Sequence, residues 1–291
     1  MMKLNQLPVT TFEKVGMNEA TVDYSEGSFE SIEINKDTVL ELDKPGDINV
    51  KIHVKDQETL SVIMKYSFKD TLNVITDVDI EDGGKLKLIQ IDSSDFESRL
   101  INRVNANLKK EAEFNLAQIL PGRGEVYSGC TAELIGNDSK VNMDVSYLAK
   151  DNQKVDLNYV ANHRGKSTEC HINADGVLKD KAEKTLRDTV NFITGAAGSK
   201  GIENEKVLLL GDDVVNKSIP LILCTEEDVE GAHGAQIGSL TDETLLYFAQ
   251  RGLNKEQAEK MISLGSFNRL IKMIDDEEIK ESTSKLVSEV L

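Results

Sequence analysis

Tryptophan is absent from this chain of 291 residues, aromatic residues make up only 5%, and there are just four prolines and three cysteines. Each scarcity removes a class of answer. The cysteines, Cys130, Cys170 and Cys224, are odd in number and form no CxxC pair, so a disulfide framework is not expected and the thiols read as free. The plainest role for each is a small buried apolar residue. Sparse aromatics weaken an immunoglobulin-like reading. Positive charge is in deficit, with 34 Lys and Arg against 51 Asp and Glu and a formal net charge of −17. That argues against non-specific binding to nucleic acid or to an anionic membrane, because both need a basic patch. It leaves metal cations, a basic partner, or simple solubility. No apolar run approaches the roughly 18 residues of a spanning helix, and residues 1–11 lack the charged-then-apolar pattern of a signal peptide. A cytoplasmic location is therefore expected. The chain has no GxSxG elbow, no GxxxxGK[ST] phosphate loop and no HExxH helix. The glycine-rich stretch 195–201 lacks the spacing of a phosphate loop and reads as a connection between strands.

The residues that are present favour strands. With 39% hydrophobic and 29% charged residues, the chain supports a sizeable core and a well-solvated surface. Residues 1–28 have no clear period and read as a short arm or a helical turn or two. Over 29–240 the sequence alternates with period two, as in Lys85-Leu86-Lys87-Leu88, in 141–147 and in 155–159. Asp82-Gly83-Gly84, Gly136-Asn137-Asp138 and Lys150-Asp151-Asn152 supply turns between such runs. Residues 95–110 carry Phe96, Leu100 and Val104 at spacings of four, which fits a short helix, but 101–109 also alternate and strand is favoured there. No helical segment is long enough to serve as a crossover, so a β-sandwich and a β-solenoid both fit. From 241 onward the period is helical. Asp242 is a plausible cap for a first helix that Arg251-Gly252 closes. Asn254 and Gln257 have capping-box spacing, Gly265-Ser266 reads as a break, and a last helix runs through Leu286, Val287 and Val290.

Within this frame one C-terminal pattern stands out. A proline-led strand, Ser218 to Leu223, precedes an acidic run and the turn His233-Gly234-Ala235, which ends at Gly238. A helix follows with Leu246-Tyr247-Phe248 and then Arg251-Gly252-Leu253. Upstream lie 204–211, a polar run leading into Leu208-Leu209-Leu210, and His163 ahead of Lys166-Ser167-Thr168. In this order the features resemble the SufB/SufD family of iron–sulfur cluster assembly components, over about 127–265. The resemblance implies a right-handed parallel β-helix with a small C-terminal helical region. It also implies a non-catalytic scaffold on which a transient iron–sulfur cluster forms near the interface of two protomers, paired as a homodimer or a paralogous heterodimer. ATP hydrolysis is then expected on a separate ABC-type ATPase subunit docked through residues 241–291, with Leu246, Tyr247, Phe248, Arg251 and Gly252 as the contact residues. Longer relatives carry a helical N-terminal domain, and this chain looks like a compact form.

The resemblance also selects candidate ligands, because cluster assembly needs thiolate or imidazole donors, with carboxylate as a harder substitute. Cys130, in Tyr127-Ser128-Gly129-Cys130, matches a sulfur-accepting cysteine of SufB-type members, without the proline those members carry. Glu205 stands where SufB-type members place a second important cysteine. His233 falls on the family's histidine. These three form the expected cluster- or sulfur-binding and metal-binding set, with Cys170 and His163 as weaker candidates. Cys170 and His171 are strand neighbours and must face opposite sides. Core packing is expected for Cys224, and a surface position for His53. Two other readings stay open: a SufD-like structural adaptor without cluster ligands of its own, and a β-helix polysaccharide-active enzyme, which the shortage of aromatics for sugar stacking disfavours.

Overall fold

The computed structural model describes residues 1–291. The alternating runs become strands that wind into a parallel β-solenoid, from β3 (Glu30–Ile34) to β18 (Val229–Gly238). Odd-numbered strands from β3 onward form one eight-stranded parallel sheet, and even-numbered strands form the other. Each coil contributes one strand to each sheet. Hydrogen-bonded neighbours therefore lie far apart in sequence: Glu113 pairs with Lys140, and Glu169 with Lys200.

Period two decides which residues meet. Inward positions stack in ladders, such as Leu60, Leu86, Phe114, Val141, Cys170 and Gly201 along the even sheet. All of these are buried, and most belong to one continuous apolar core between the sheets. Burying such side chains stabilises the fold by roughly 1.5–3 kcal/mol each. Residue 101 onward is strand as expected, within β9 (Arg99–Leu108). One layer needs a glycine: a Cβ on Gly176 would fall 2.1 Å from the ring of Tyr147, its ladder partner.

The outer face of the even sheet is also apolar. Ile63, Ile89, Ile91, Ala117, Ile119, Leu148 and Val177 are covered by α2 (Lys255–Ile271) and α3 (Glu277–Val290), through Phe267, Leu270, Ile271, Ile279 and Val287. Asn254 caps α2 in a full capping box with Gln257, as its spacing predicts. Two local expectations fail. Thr241, not Asp242, is the N-cap of α1 (Asp242–Gln250), its side chain accepting from the Thr244 amide. Asp242 instead lies in the first turn, where a negative charge suits the helix dipole. Gly265-Ser266 does not break the helix either. A mid-helix glycine costs about 1 kcal/mol, less than is gained by burying Phe267, Leu270 and Ile271 on the next turns.

The N-terminal arm is not helical beyond a single 3-10 turn at Glu13–Val15. It forms a short antiparallel pair, β1 (Met2–Leu4) with β2 (Ala20–Val22), whose Leu4, Ala20 and Val22 pack on Ile101 and Tyr127 of the odd sheet. Arg187, 1% exposed, ties the arm down: its Nε donates to Met17 O (2.7 Å) and its guanidinium pairs with Asp156 (2.7 Å).

The Tyr147 layer provides a test. Gly176→Ala is expected to lower stability by about 1–3 kcal/mol through overpacking, read as a reduced urea midpoint. Tyr147→Phe removes a buried hydroxyl that has no hydrogen-bond partner and should cost far less.

Candidate functional site at the open end of the solenoid

The last coil, β17 (Val215–Cys224) with β18, has no coil stacked on it, so one edge of each strand is free. The register shows which side chains face the interior there. Glu203 of β16 (Ser199–Leu210) is buried and pairs with His233, and Glu205 pairs with Ala235. His233 therefore takes the inward phase, yet it is exposed because nothing lies above it. Cys224 is in the same situation. It pairs with the buried Phe192 and so points inward, but it is exposed. The core role expected for Cys224 is overturned: whether an inward position is buried depends on the coil above, and this one has none. Its thiol donates to Glu226 O at 2.9 Å.

One coil below lies a group of buried charges that the motifs did not point to. Lys184, on β15 (Glu183–Phe192), is fully buried, and its ammonium donates to Glu205, to Ser218 Oγ (3.0 Å) and to Lys217 O (3.2 Å). Asp188 and Glu203 are 3% and 1% exposed. Asp188 Oδ1 and both carboxylate oxygens of Glu203 have no hydrogen-bond partner. Burial pushes the Asp188 carboxyl up, and the charge of Glu205 adds to this. Burial and then Asp188 push Glu203 up. Burial pulls Lys184 down, while Glu205 acts the other way. Neighbouring carboxyls in a low-dielectric interior do not both ionise readily. The sequence did carry a signal for this group. Lys184 and Asp188 share the phase of Leu186 and Val190, and Glu203 and Glu205 share that of Val207, so polar residues occupy positions reserved for the core.

The other candidates are spread along the interior. Cys130 sits on β11 (Glu125–Leu134), two coils below Glu205 and in one ladder with Tyr159 and Asp188. It is 2% exposed, and burial raises its thiol well above the usual range. A buried polar seam runs beside it. Gln90 accepts from Asn102 (2.7 Å) and from Gln118 (2.7 Å), Ser128 donates to Gln118 (3.2 Å), and Tyr159 donates to Gln118. Cys170 is fully buried and its thiol is likewise raised by burial, while its neighbour His171 faces solvent, as strand geometry requires. His163 is buried at a corner, its Nδ1 2.6 Å from Thr168 Oγ1 and its ring 4.7 Å from that of Phe192. Burial lowers its pKa to about 4, so it is neutral at physiological pH. His53 is exposed, as expected. Cys130, Glu205 and His233 thus all face the interior but lie on different coils. No three His, Cys, Asp or Glu side chains of the single chain are arranged to hold a metal ion.

A family model described as the SufBD core domain of SUF system FeS cluster assembly matches residues 47–266. The chain belongs to the SufB/SufD family. An iron–sulfur cluster assembly protein SufD from Bacillus subtilis is 23% identical over 245 residues, covering 82% of this chain and 56% of that protein. A SufBD family protein from Pyrococcus horikoshii is 22% identical over 80% of this chain and 51% of its own length. SufD from Escherichia coli is 27% identical over 36% of this chain and 25% of its own. The chain spans about half the length, or less, of these relatives. The solenoid is the expected fold of this SufB/SufD family member, and no helix is long and apolar enough to cross a membrane.

Two measurements check this geometry. Under native conditions a thiol reagent should modify Cys224 alone, with Cys130 and Cys170 reacting only after denaturation; rapid native labelling of Cys130 would show that the interior opens. His163 should make the fold acid-sensitive. Its folded pKa is depressed, so the unfolded chain binds the extra proton, and stability is lost as pH falls from about 6.5 towards 4. From pH 7 to pH 5 the wild type should lose about 1–2 kcal/mol more than His163→Gln, measured by urea denaturation of both.

Proposed function

We propose that this protein is a scaffold component of an iron–sulfur cluster assembly complex in the cytoplasm, helping to build and pass on a nascent cluster together with an ABC-type ATPase subunit. Family membership supports the class, and the open end supports the place. The observation that carries the reading is that His233, on the family's histidine position, lies on the uncapped coil directly above Glu203, one inward position along from the Glu205–Ala235 pair. A donor set incomplete in one chain becomes complete when a second protomer faces the same end. The free edges of β17 and β18, with Ile222 and Ile237 37% and 42% exposed, suit such pairing. A homodimer or a paralogous heterodimer would bring two such ends together, each with Glu203 behind its histidine position and Glu205 one inward position along. The exposed thiol of Cys224 lies on the same end, and Cys130 remains the proposed sulfur acceptor, which requires the interior around it to open. The cluster is cargo, and ATP hydrolysis belongs to the partner.

The proposed ATPase dock is α1. Leu246 and Tyr247 are 59% and 51% exposed, α1 buries none of its residues, and Arg251 stacks over Tyr247 at 4.6 Å. Because α2 and α3 cover the even sheet, point changes in α1 test docking better than truncation after Leu240. A second reading, a SufD-like adaptor without its own ligands, is favoured by Glu205 being engaged by Lys184 and by the burial of Cys130.

The readings separate experimentally. Co-expressed with a cognate ATPase, the protein should co-purify, and Leu246→Glu with Tyr247→Ala should abolish this while leaving circular dichroism unchanged. Anaerobic ferrous iron and sulfide added to the complex should give a visible chromophore that His233→Ala reduces several-fold. A complex that forms normally but never develops colour would establish the adaptor.

A further inference from the structure

The two walls of the solenoid are covered unequally. Outside the even sheet, α2 and α3 seal a broad apolar surface. Outside the odd sheet the cover is the arm, residues 1–28, whose apolar hold is Leu4, Ala20 and Val22 on Ile101 and Tyr127. Its strands β1 and β2 pair with each other and with no strand of the solenoid, and no backbone–backbone hydrogen bond joins arm to solenoid. Side chains do the fastening, at successive heights of the stack. On β5 (Gly46–Val54), Asp47 accepts from the Tyr24 hydroxyl (3.0 Å) and the Gly27 amide (2.7 Å). Arg103 of β9 pairs with Glu26 (2.6 Å), Asp156 of β13 (Lys154–His163) accepts from Asn5 (2.7 Å), and Arg187 of β15 holds Met17 O. The arm thus runs along the stack and bridges coils that are otherwise joined only to their neighbours. Much of this hold is polar. Asp156 and Arg187 are drawn out of water beneath the arm, and burial pushes the Asp156 carboxyl up while Arg187 acts against this. Release of the arm rehydrates both groups, so the contact parts at small cost. Elements with few apolar contacts are the ones that open locally.

Cys130 lies on the inner side of this same wall. It shares β11 with Tyr127, on which the arm rests, and β11 is hydrogen-bonded to β13, which the arm grips through Asp156. We propose that the arm is a releasable strap that holds shut the wall in front of Cys130. Bound, it staples the odd strands from β5 to β15 together. Released, it lets β11, β13 and β15 part locally and opens a path to the thiol, while the even wall stays closed under α2 and α3. The inference rests on the reading that Cys130 accepts sulfur, which needs the interior to open, and it assigns that opening to one wall and one element.

The test uses the full chain, with iodoacetamide labelling and amide hydrogen exchange both read peptide by peptide under native conditions. Leu4→Asp places a charge in the apolar contact of the arm and changes no solenoid residue. It should free the amides of residues 2–22 and raise the labelling rate of Cys130 at least roughly tenfold over wild type. Exchange should quicken in β11, β13 and β15 and stay unchanged in β10 (Glu113–Leu120), β12 (Lys140–Ala149) and β14 (Glu169–Lys179), which face α2. Equal quickening in both sheets overturns the strap, because the arm then adds only to global stability. Cys130 labelling that stays at the wild-type rate while the arm exchanges freely overturns it as well, as does an arm that stays protected despite the charge. If Leu4→Asp does not fold, Asn5→Ala, which removes both bonds from Asn5 to Asp156, carries the same criteria. Failure of the acceptor reading is distinguishable: Cys130→Ala would then leave chromophore formation in the complex unchanged while these labelling and exchange results stand.

Discussion

Everything in this molecule depends on inward side chains of one coil resting on those of the next. Parallel hydrogen bonding holds successive coils about 4.8 Å apart, and each layer is sealed by its neighbour. At β17 and β18 the sealing stops. Residues in the phase that elsewhere gives a dry core, His233 and Cys224 among them, are left in water. The same alternation that builds the core therefore also builds the open end, and one missing neighbour accounts for the difference.

The interior behind that end is unusual in its chemistry. The Tyr159–Gln118–Gln90 seam is well hydrogen-bonded, which makes a polar interior tolerable. The layer of Lys184, Asp188, Glu203 and Glu205 is not fully bonded, and its unpartnered oxygens lie one coil beneath the open end. Buried ion pairs rarely add stability over apolar packing, so this layer is not what holds the fold together. The helices divide the remaining work. Those of α2 and α3 are part of the core, whereas α1 spends its apolar residues on a surface facing outward.

Local signals were readable in proportion to how local their causes are. The Asn254–Gln257 capping box involves residues three apart and forms as its spacing predicts. The opposed faces of Cys170 and His171 follow from period two alone, whereas 101–109 also offered a helical spacing through Phe96, Leu100 and Val104, and strand is what forms. Gly265-Ser266 misled because what carries the helix through it is burial against a sheet more than a hundred residues away, including Ser146 Oγ donating to Ser266 O. The short arm at 1–28 was legible only as an arm with a helical turn, because its strand pairing depends on docking against Ile101, Tyr127 and Arg187.

The sequence by itself determined the strand-rich class, the alternation of faces along its clearest runs, the family pattern and the three candidate donors. Its alternation alone could not separate a sandwich from a solenoid, because both obey the same period and differ only in which distant strands hydrogen-bond; the family resemblance pointed to the solenoid, which the structure has. Only the tertiary structure decided that Cys130 is sealed, that Cys224 and His233 are open, and that Lys184 is bound to Glu205. Exposure in a stack is a property of the adjacent layer, and the layers are joined by residues some thirty positions apart, beyond the reach of any local pattern.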